Sequence, residues 1–240
     1  MRYCHFLNIC DIIKSKFDYF CDEGIISLAR KPADQSVNRE TILHAAADVL
    51  RRNGYEATTM KDIASEVNLT AASLYHHFRN KDALLLAVLE GGLDHAISKI
   101  EPVVQSDKTP TEKLYDMVRL HVLTLTANTA VGAAMIFEIR PLMNLKSDGR
   151  NGAHNYTDDF ITKRDAFFQR REYFEVLFRQ VVKEGIEKGE FREVDIPIYT
   201  KSIIGANNWV AVWYKEGGRL SGEEIAQLIA DGAIRAIKCD

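Results

Sequence analysis

The chain has 240 residues, of which 46% are hydrophobic, and this supply of apolar side chains is enough to bury a sizeable core. The formal net charge of -3 excludes a uniformly cationic nucleic-acid coat but not a local basic surface. The four cysteines (Cys4, Cys10, Cys21 and Cys239) include no CxxC pair, so neither a zinc site nor a disulfide framework is indicated.

The N-terminal residues predict neither a signal peptide nor a membrane span. Asp11 and Lys14 interrupt the apolar core that a signal peptide needs, and no later run approaches about 18 apolar residues. We therefore expect a cytoplasmic protein. Residues 1–35 form an N-terminal extension with apolar side chains at helical spacing. A helix that docks on the next unit, a packing appendage, an unused upstream start and a disordered segment all remain open.

Two helices are predicted directly after this extension. Asn38 is a capping residue before an apolar stripe, and Gly54 is a helix stop, so the first helix spans about 39–53. Thr59 and Asp62 have the spacing of a capping box, which starts a second, short helix ending near residue 67.

A turn then leads to two further predicted helices. Thr70 caps a third helix whose inward side is Leu74 and Phe78. Asn80 caps a long fourth helix, in which the glycine pair at 91–92 is a weak point.

The third helix has the features of a helix that enters the major groove of DNA. Small side chains near its N-terminus allow close approach of the backbone, and hydroxyl and imidazole groups can reach base edges. Helix N-termini, cations and hydroxyls suit phosphate oxygens. The predicted base-contacting residues are Thr70, Ala71, Ser73 and His76, and the predicted backbone-contacting residues are Thr59, Lys61, Tyr75 and Lys81.

The rest of the chain predicts only helices. Segments near 111–129, 131–146, 155–188, 195–215 and 221–238 have helical periodicity, with prolines at connections or helix starts and no alternating strand pattern. The predicted fold class is all-α, with a three-helix helix-turn-helix domain over 36–82 followed by a helical domain over 83–240.

This pattern resembles the helix-turn-helix of the TetR family of bacterial transcriptional regulators. The family's third helix and following turn carry Leu-Tyr-x-His-Phe and a Lys before an acidic residue, matched here by Leu74, Tyr75, His77, Phe78, Lys81 and Asp82. Its second helix and the preceding joint are matched by Gly54, Thr58, Thr59, Ile63 and Ala64. Ala72 stands where the family commonly has Gly, a departure that concerns helix packing geometry.

The resemblance implies a homodimer whose C-terminal helices pack against those of a second copy, and a C-terminal domain whose central helices enclose a ligand pocket. Two apolar helices of this chain are candidates for the dimer contact, with ordinary core helices of one subunit as the alternative. The predicted interface residues are Tyr173, Leu177, Val181, Ile203 and Trp213.

The C-terminal segment is also similar to a TetR subgroup that controls fatty-acid, sterol or branched-acid breakdown and responds to acyl-coenzyme A esters. The similarity rests on Asn208, Trp209, Trp213, Tyr214 and residues 217–221, although related sequences have other effectors. An acyl-CoA needs an apolar wall and cations for its phosphates. The candidate ligand-binding residues are Phe137, Arg140, Met143, Phe167, Arg170, Arg171 and Trp209, each of which is otherwise a core or solvated surface residue.

No phosphate-binding loop, HExxH or GxSxG motif occurs, so we predict no enzyme, no catalytic residue, no cofactor and no metal ligand. His121 and His154 are isolated and predict structural or exposed side chains. The predicted function is a homodimeric transcriptional repressor that binds a palindromic DNA operator and is released by a small-molecule effector such as an acyl-CoA. The alternatives are an activator of the same family and a helical ligand-binding protein that does not read DNA.

Overall fold

The structure is a computed structural model that describes residues 38–144, 150–151 and 154–239. The chain divides into two units, Met1–Ser36 and Val37–Asp240, and every described residue belongs to the second. The predictions for residues 1–35 lie outside the described residues.

Helices make up most of the described residues. The N-terminal helices are α1 (Arg39–Ala57), α2 (Met60–Glu66), α3 (Ala71–His77) and α4 (Lys81–Val104). They are followed by α5 (Pro110–Ala127), α6 (Thr129–Phe137), α7 (Arg140–Met143), α8 (Asp158–Glu187), α9 (Ile196–Trp213) and α10 (Gly222–Ile237). Two short antiparallel strands, β1 (Arg150–Asn151) and β2 (His154–Asn155), lie between α7 and α8 and were not predicted. The all-α fold class is confirmed.

Side-chain caps start the first four helices at the predicted residues. The Asn38 side chain accepts a hydrogen bond from a first-turn amide of α1, and Thr59 and Asp62 form a complete capping box at α2. Thr70 and Asn80 cap α3 and α4 through their side-chain oxygens. These bonds satisfy amides that have no partner inside the helix, so the helix starts follow from local sequence.

Gly54 interrupts a helix, whereas Gly92 allows two helices to pack closely. Gly54 interrupts α1 with a φ of 74°, a left-handed conformation that glycine adopts without strain, so the regular helix stops where predicted and one further turn follows. The predicted weak point in α4 is instead continuous helix. A Cβ at Gly92 would lie 2.3 Å from the Val131 side chain, so this glycine permits close packing of α4 on α6.

Two prolines show how the other helices depart from prediction. The segment 131–146 is split into α6 and α7, with Pro141 in the first turn of α7, where its missing amide hydrogen costs no helical bond. Pro102 lies inside the last turns of α4 rather than at a connection, and its side chain faces solvent.

Two buried clusters organise the packing. One contains apolar side chains of α1, α2 and α3, and it also includes Val88 of α4 and Ala130 of α6. The larger cluster joins α4, α5, α8, α9 and α10. Each buried Leu or Ile contributes about 1.5–3 kcal/mol. Because α4 and α6 contribute to the N-terminal cluster, the helix-turn-helix packs directly on the C-terminal domain.

No single helix among the described residues is long and apolar enough to cross a membrane. The stretches Pro110–Ala127 and Thr129–Met143 satisfy the length and composition for a span only as a pair, and they are bent by 100°.

Candidate DNA interface and ligand cavity

Helix α3 presents one face to the core and the other to solvent. Leu74 and Phe78 are 0% and 4% exposed and hold α3 against the N-terminal cluster. Tyr75 is 52% exposed, and His76 is exposed beside it. Asn68 forms the preceding turn with a φ of 55°, which Asn tolerates better than most residues. The structure therefore leaves the predicted DNA-reading surface open.

The hydroxyls at the start of α3 are held in place by each other. Thr70 Oγ1 accepts from the Ser73 amide at 3.0 Å, and the two hydroxyl oxygens are 2.8 Å apart. Ala71 lies between them, at the first position of the helix. The hydroxyls retain acceptor capacity because each oxygen carries two lone pairs.

Two cations on this surface have no ion-pair partner in the described part of the chain. Lys61 on α2 and Arg79 after α3 are both exposed. Arg52, by contrast, pairs with Glu66 at 2.7 Å. Arg79 was not among the predicted DNA-contacting residues, although its place directly before the N-terminus of α4 was a readable signal. Thr59 is exposed, and its hydroxyl forms hydrogen bonds in the capping box of α2.

Lys81 points into the protein rather than toward DNA. Its Nζ donates to the carbonyl oxygens of Tyr55 at 2.6 Å and Thr58 at 2.9 Å. The same atom lies 4.1 Å from the centroid of the Tyr55 ring. Lys81 therefore ties the first turn of α4 to the end of α1, and its predicted phosphate contact would require these bonds to break.

Replacing Lys81 with Met is expected to lower Tm by roughly 4–8 °C, because it removes hydrogen bonds worth about 2 kcal/mol in total. Lys61→Met is the matched control. It should leave Tm unchanged, while weakening DNA binding and lowering its salt dependence through loss of a phosphate contact. Thermal unfolding and binding titrations at several salt concentrations measure both effects. An unchanged Tm in Lys81→Met would contradict the internal role of this lysine.

A second set of hydrogen bonds braces the same junction. The Tyr55 hydroxyl donates to Asp82, and the Tyr156 hydroxyl donates to the other oxygen of the same carboxylate at 2.7 Å. The Tyr55 amide donates to Glu138 Oε2 at 2.8 Å. Burial, followed by the hydrogen bond to Asp82, raises the pKa of the Tyr55 hydroxyl above its ordinary value. The end of α1 is thus bonded to elements of the C-terminal domain.

A cavity of about 970 Å³ lies between α1 and the helices of the C-terminal domain. Its wall combines apolar side chains and glycines with polar groups, and α1 itself contributes Glu40, Leu43, His44 and Asp48. The other walls come from α4, α5, α6, α8 and α9, with Leu93, His121, Met135, Phe168, Phe174 and Ile204 among them. This volume is in the range of small-molecule sites.

The predicted ligand-binding residues are not brought together in this cavity. Arg171 lines it, and the other predicted residues do not. Phe167 is 1% exposed and belongs to the core. Arg170 pairs with Asp94 at 2.6 Å on the surface. Arg140 is exposed, Met143 is 57% exposed, and the exposed rings of Phe137 and Trp209 pack edge to face with centroids 6.5 Å apart.

The charged groups of the cavity are largely paired with one another. Lys201 Nζ lies 2.7 Å from Glu175 Oε1, and Arg179 bonds to the same carboxylate. Burial opposes ionisation of Glu175, but the hydrogen bonds from Lys201 and Arg179 outweigh it and hold the pKa of this carboxyl below its ordinary value. The cavity therefore has little free positive charge apart from Arg171, which has no ion-pair partner among the described residues.

The predicted dimer residues divide into two groups. Leu177, Val181 and Ile203 are 4%, 0% and 7% exposed, so they belong to the core of one chain and offer no surface to a second copy. This corrects their assignment to an interface, because helical spacing does not tell which apolar stripe faces its own core. Tyr173 and Trp213 are exposed. A better candidate is the outer face of α9, formed by Ile198, Ser202, Gly205, Trp209 and Trp213, all exposed at steps of three or four residues.

Comparison with known proteins gives matches in both halves of the chain. A family model described as bacterial regulatory proteins, tetR family, matches residues 42–88. A second, described as tetracyclin repressor-like, C-terminal domain, matches residues 161–237. The chain is similar to the HTH-type transcriptional repressor KstR2 of Mycolicibacterium smegmatis, with 28% identity over 198 residues that cover 82% of this chain and 88% of that protein.

Solved structures agree over a similar length. The TetR family transcriptional regulator PfmR from Thermus thermophilus shares 26% identity, with a TM-score of 0.66 and coverage of 81% of this chain and 97% of that one. AibR in complex with isovaleryl coenzyme A and operator DNA also shares 26% identity, with a TM-score of 0.66 and coverage of 83% and 97%.

Proposed function

We propose a function for this chain on the premise that it belongs to the TetR family of bacterial transcriptional regulators, as the matches in both of its halves show. The family predicted from the sequence is confirmed, and so is the prediction that the chain is a regulator and not an enzyme. Within this family we propose a cytoplasmic repressor that acts as a homodimer on a near-palindromic DNA operator and is released by a small-molecule effector. The name of the relative KstR2 supports the repressor assignment over an activator.

The cavity wall formed by α1 is the observation that carries this proposal. Because α1 is part of the helix-turn-helix, a ligand in the cavity contacts the DNA-binding domain directly. Next to it, Asn128 Nδ2 donates to His44 Nδ1 at 3.1 Å, which bonds the α5–α6 joint to α1. An effector that fills the cavity better when α1 is displaced would favour a conformation that does not bind the operator. A ligand acts in this way only through different affinities for the two conformations.

A homodimer is proposed because two linked helix-turn-helix domains (residues 36–82 of each copy, here called reading heads) bind an operator much more tightly than one. The outer face of α9 carries large apolar side chains on both sides of Gly205, a small residue that would allow two helices to approach closely. A second copy packed there would present two α3 helices. Heads about 34 Å apart match successive major grooves on one side of the duplex.

For the effector we propose an acyl-CoA whose acyl part occupies the cavity. The AibR structure, which contains isovaleryl coenzyme A, supports this class. The cavity volume and its apolar side chains suit an acyl chain. The exposed Arg171 at the cavity wall remains a proposed contact for the phosphates, which are costly to bury without cations. Arg140 is exposed but does not line the cavity.

Footprinting on the DNA beside its own gene tests the proposed function. We expect a protected near-palindrome, and its absence at every salt concentration would leave a ligand-binding protein that does not read DNA. Replacing Ser73 or His76 with Ala should change the preference among operator variants by about 1–3 kcal/mol per altered base contact. Tyr75→Phe is the control, because loss of a backbone contact should weaken binding to all variants alike. The same uniform loss in the Ser73 and His76 variants would contradict their base-reading role.

A further inference from the structure

His121 is a buried histidine that lines the cavity. It lies on α5, is 5% exposed, and packs edge to face against Phe174 with ring centroids 4.9 Å apart. Phe178 is on its other side, with centroids 6.3 Å apart. A histidine between two phenylalanine rings is a polar group in an aromatic environment, and burying it costs free energy.

The hydrogen bond between His121 and Asn207 assigns the proton to one nitrogen of the imidazole, because an amide nitrogen can only donate. The buried Asn207 on α9 donates from Nδ2 to His121 Nδ1 at 3.3 Å. Burial lowers the pKa of His121 to about 4, so the ring is neutral at physiological pH and carries one hydrogen. With Nδ1 as an acceptor, that hydrogen is on Nε2. Nε2 has no hydrogen-bond partner within the described residues.

The side chain of Asn207 is buried with one of its two polar atoms unpaired, and its hydrogen bond to His121 gives a reason for its presence. Its Oδ1 is enclosed and has no hydrogen-bond partner in the described part of the chain. An orphaned buried acceptor destabilises the fold, and native proteins retain few of them. An apolar residue at 207 would avoid this cost but would leave the His121 tautomer undetermined. Asn207 therefore acts as a positioning residue for the imidazole.

The surroundings of His121 favour an uncharged ligand group. The ring is neutral, and its contacts are Phe174 and Phe178. The cavity cations Arg179 and Lys201 are ion-paired with Glu175, which neutralises most of their charge, although Arg179 Nε has no hydrogen-bond partner in the described part of the chain. A free carboxylate placed beside the ring would lose its hydration without gaining a counter-charge. A carbonyl oxygen needs only the single N–H that His121 offers.

We propose that His121 donates its Nε2–H to an uncharged carbonyl oxygen, such as that of a thioester or ketone, on the apolar part of a ligand that occupies the cavity. This inference rests on the proposed function in placing the effector there. It adds to it the group that is recognised and the exclusion of the corresponding free acid.

Two matched ligands test the proposal. Octanoyl-CoA and S-octyl-CoA differ only in that the thioester carbonyl is replaced by a methylene. We expect the wild-type chain to bind octanoyl-CoA about tenfold more tightly by calorimetry, since the buried N–H would otherwise lose its partner. Octanoate should bind far more weakly than octanoyl-CoA. His121→Phe, which retains the aromatic packing, should bind both CoA compounds equally.

Three further measurements keep the result unambiguous. His95→Phe alters an exposed histidine of the same cavity and should preserve the tenfold ratio. His121→Gln retains a neutral N–H donor and should preserve part of it. 2-Octanone tests the carbonyl without coenzyme A.

The outcomes separate this inference from the proposed effector. Equal wild-type affinity for the two CoA compounds would overturn the His121 contact and leave an acyl-CoA effector in place. If neither CoA compound binds but 2-octanone binds the wild type and not His121→Phe, the effector class fails and the contact stands. Binding of neither octanoyl-CoA nor 2-octanone would overturn the contact.

Discussion

Gly205→Arg is expected to yield a folded monomer that binds operator DNA at least about a hundredfold more weakly than the wild type, because linked reading heads gain roughly 10²–10⁴ in avidity. Gly205 lies in the middle of the outer face of α9, and a Cβ at this position would meet nothing within 4 Å. The arginine therefore fits the single chain and raises helix propensity by up to about 1 kcal/mol. It would, however, place a charge and a long side chain where a second copy must approach.

Sedimentation, thermal unfolding and operator titration together check this expectation. Ser98→Arg is a suitable control, because Ser98 is an exposed helical residue of α4 whose hydroxyl bonds only to the carbonyl of His95 in its own helix. This control should remain dimeric and bind the operator normally. A Gly205→Arg protein that stays dimeric would show that the interface lies elsewhere. A monomer with full operator affinity would contradict the need for paired heads.

The second large effect concerns stability in acid, and it comes from His121. Its folded-state pKa of about 4 lies below the ordinary value of 6.5, because burial disfavours the charged ring. Between these values the unfolded chain binds more protons than the folded chain, so stability falls as pH falls through this window. The expected loss is about 2–3 kcal/mol from this residue alone, with full stability retained above the upper value.

Comparison of the wild type with His121→Phe isolates that contribution. From roughly pH 7 to pH 4.5, the wild type should lose about 2–3 kcal/mol more of its free energy of unfolding than His121→Phe does, as measured by denaturant titration. His95→Phe is the control and should show the wild-type pH dependence. Carboxylates held ionised by hydrogen bonds, such as Glu175, titrate lower and in both proteins, so they cancel in the comparison. A constant difference across this range would show that His121 is not buried in its neutral form.

The proposed dimer contact on α9 and the buried His121 both belong to the proposed mechanism by which a ligand releases DNA. The cavity contacts α1 on one side and includes His121 of α5 on the other, while α9 supplies both Asn207 on its inner side and the outer face beside a second copy. A ligand held by His121 would therefore lie between the reading head and the helix through which we propose that the two heads are joined. The buried cluster shared by α1, α2 and α3 would transmit a displacement of α1 to α3. The hydrogen bonds at Tyr55 and Lys81 hold the end of α1 to Glu138 and to the start of α4.

Local features of this protein follow from the order of its amino acids alone. Capping side chains, the helix stop at Gly54 and the buried face of α3 depend on residues three or four positions apart, and helix geometry converts such spacing directly into structure. The family resemblance of the helix-turn-helix rests on the same short stretch, so residues that contact DNA could be proposed from sequence, and these contacts stay predictions.

Contacts between distant parts of the chain could not be predicted from spacing. Periodicity marked the stripe containing Leu177 and Val181 as apolar but did not distinguish a stripe buried in its own chain from one left for a second copy. Lys81 points to carbonyls 23 and 26 residues away, and His121 bonds to an amide 86 residues away. Such partners are chosen by the packing of whole helices. The residues that hold the reading head and line the cavity therefore emerge only when the chain is folded.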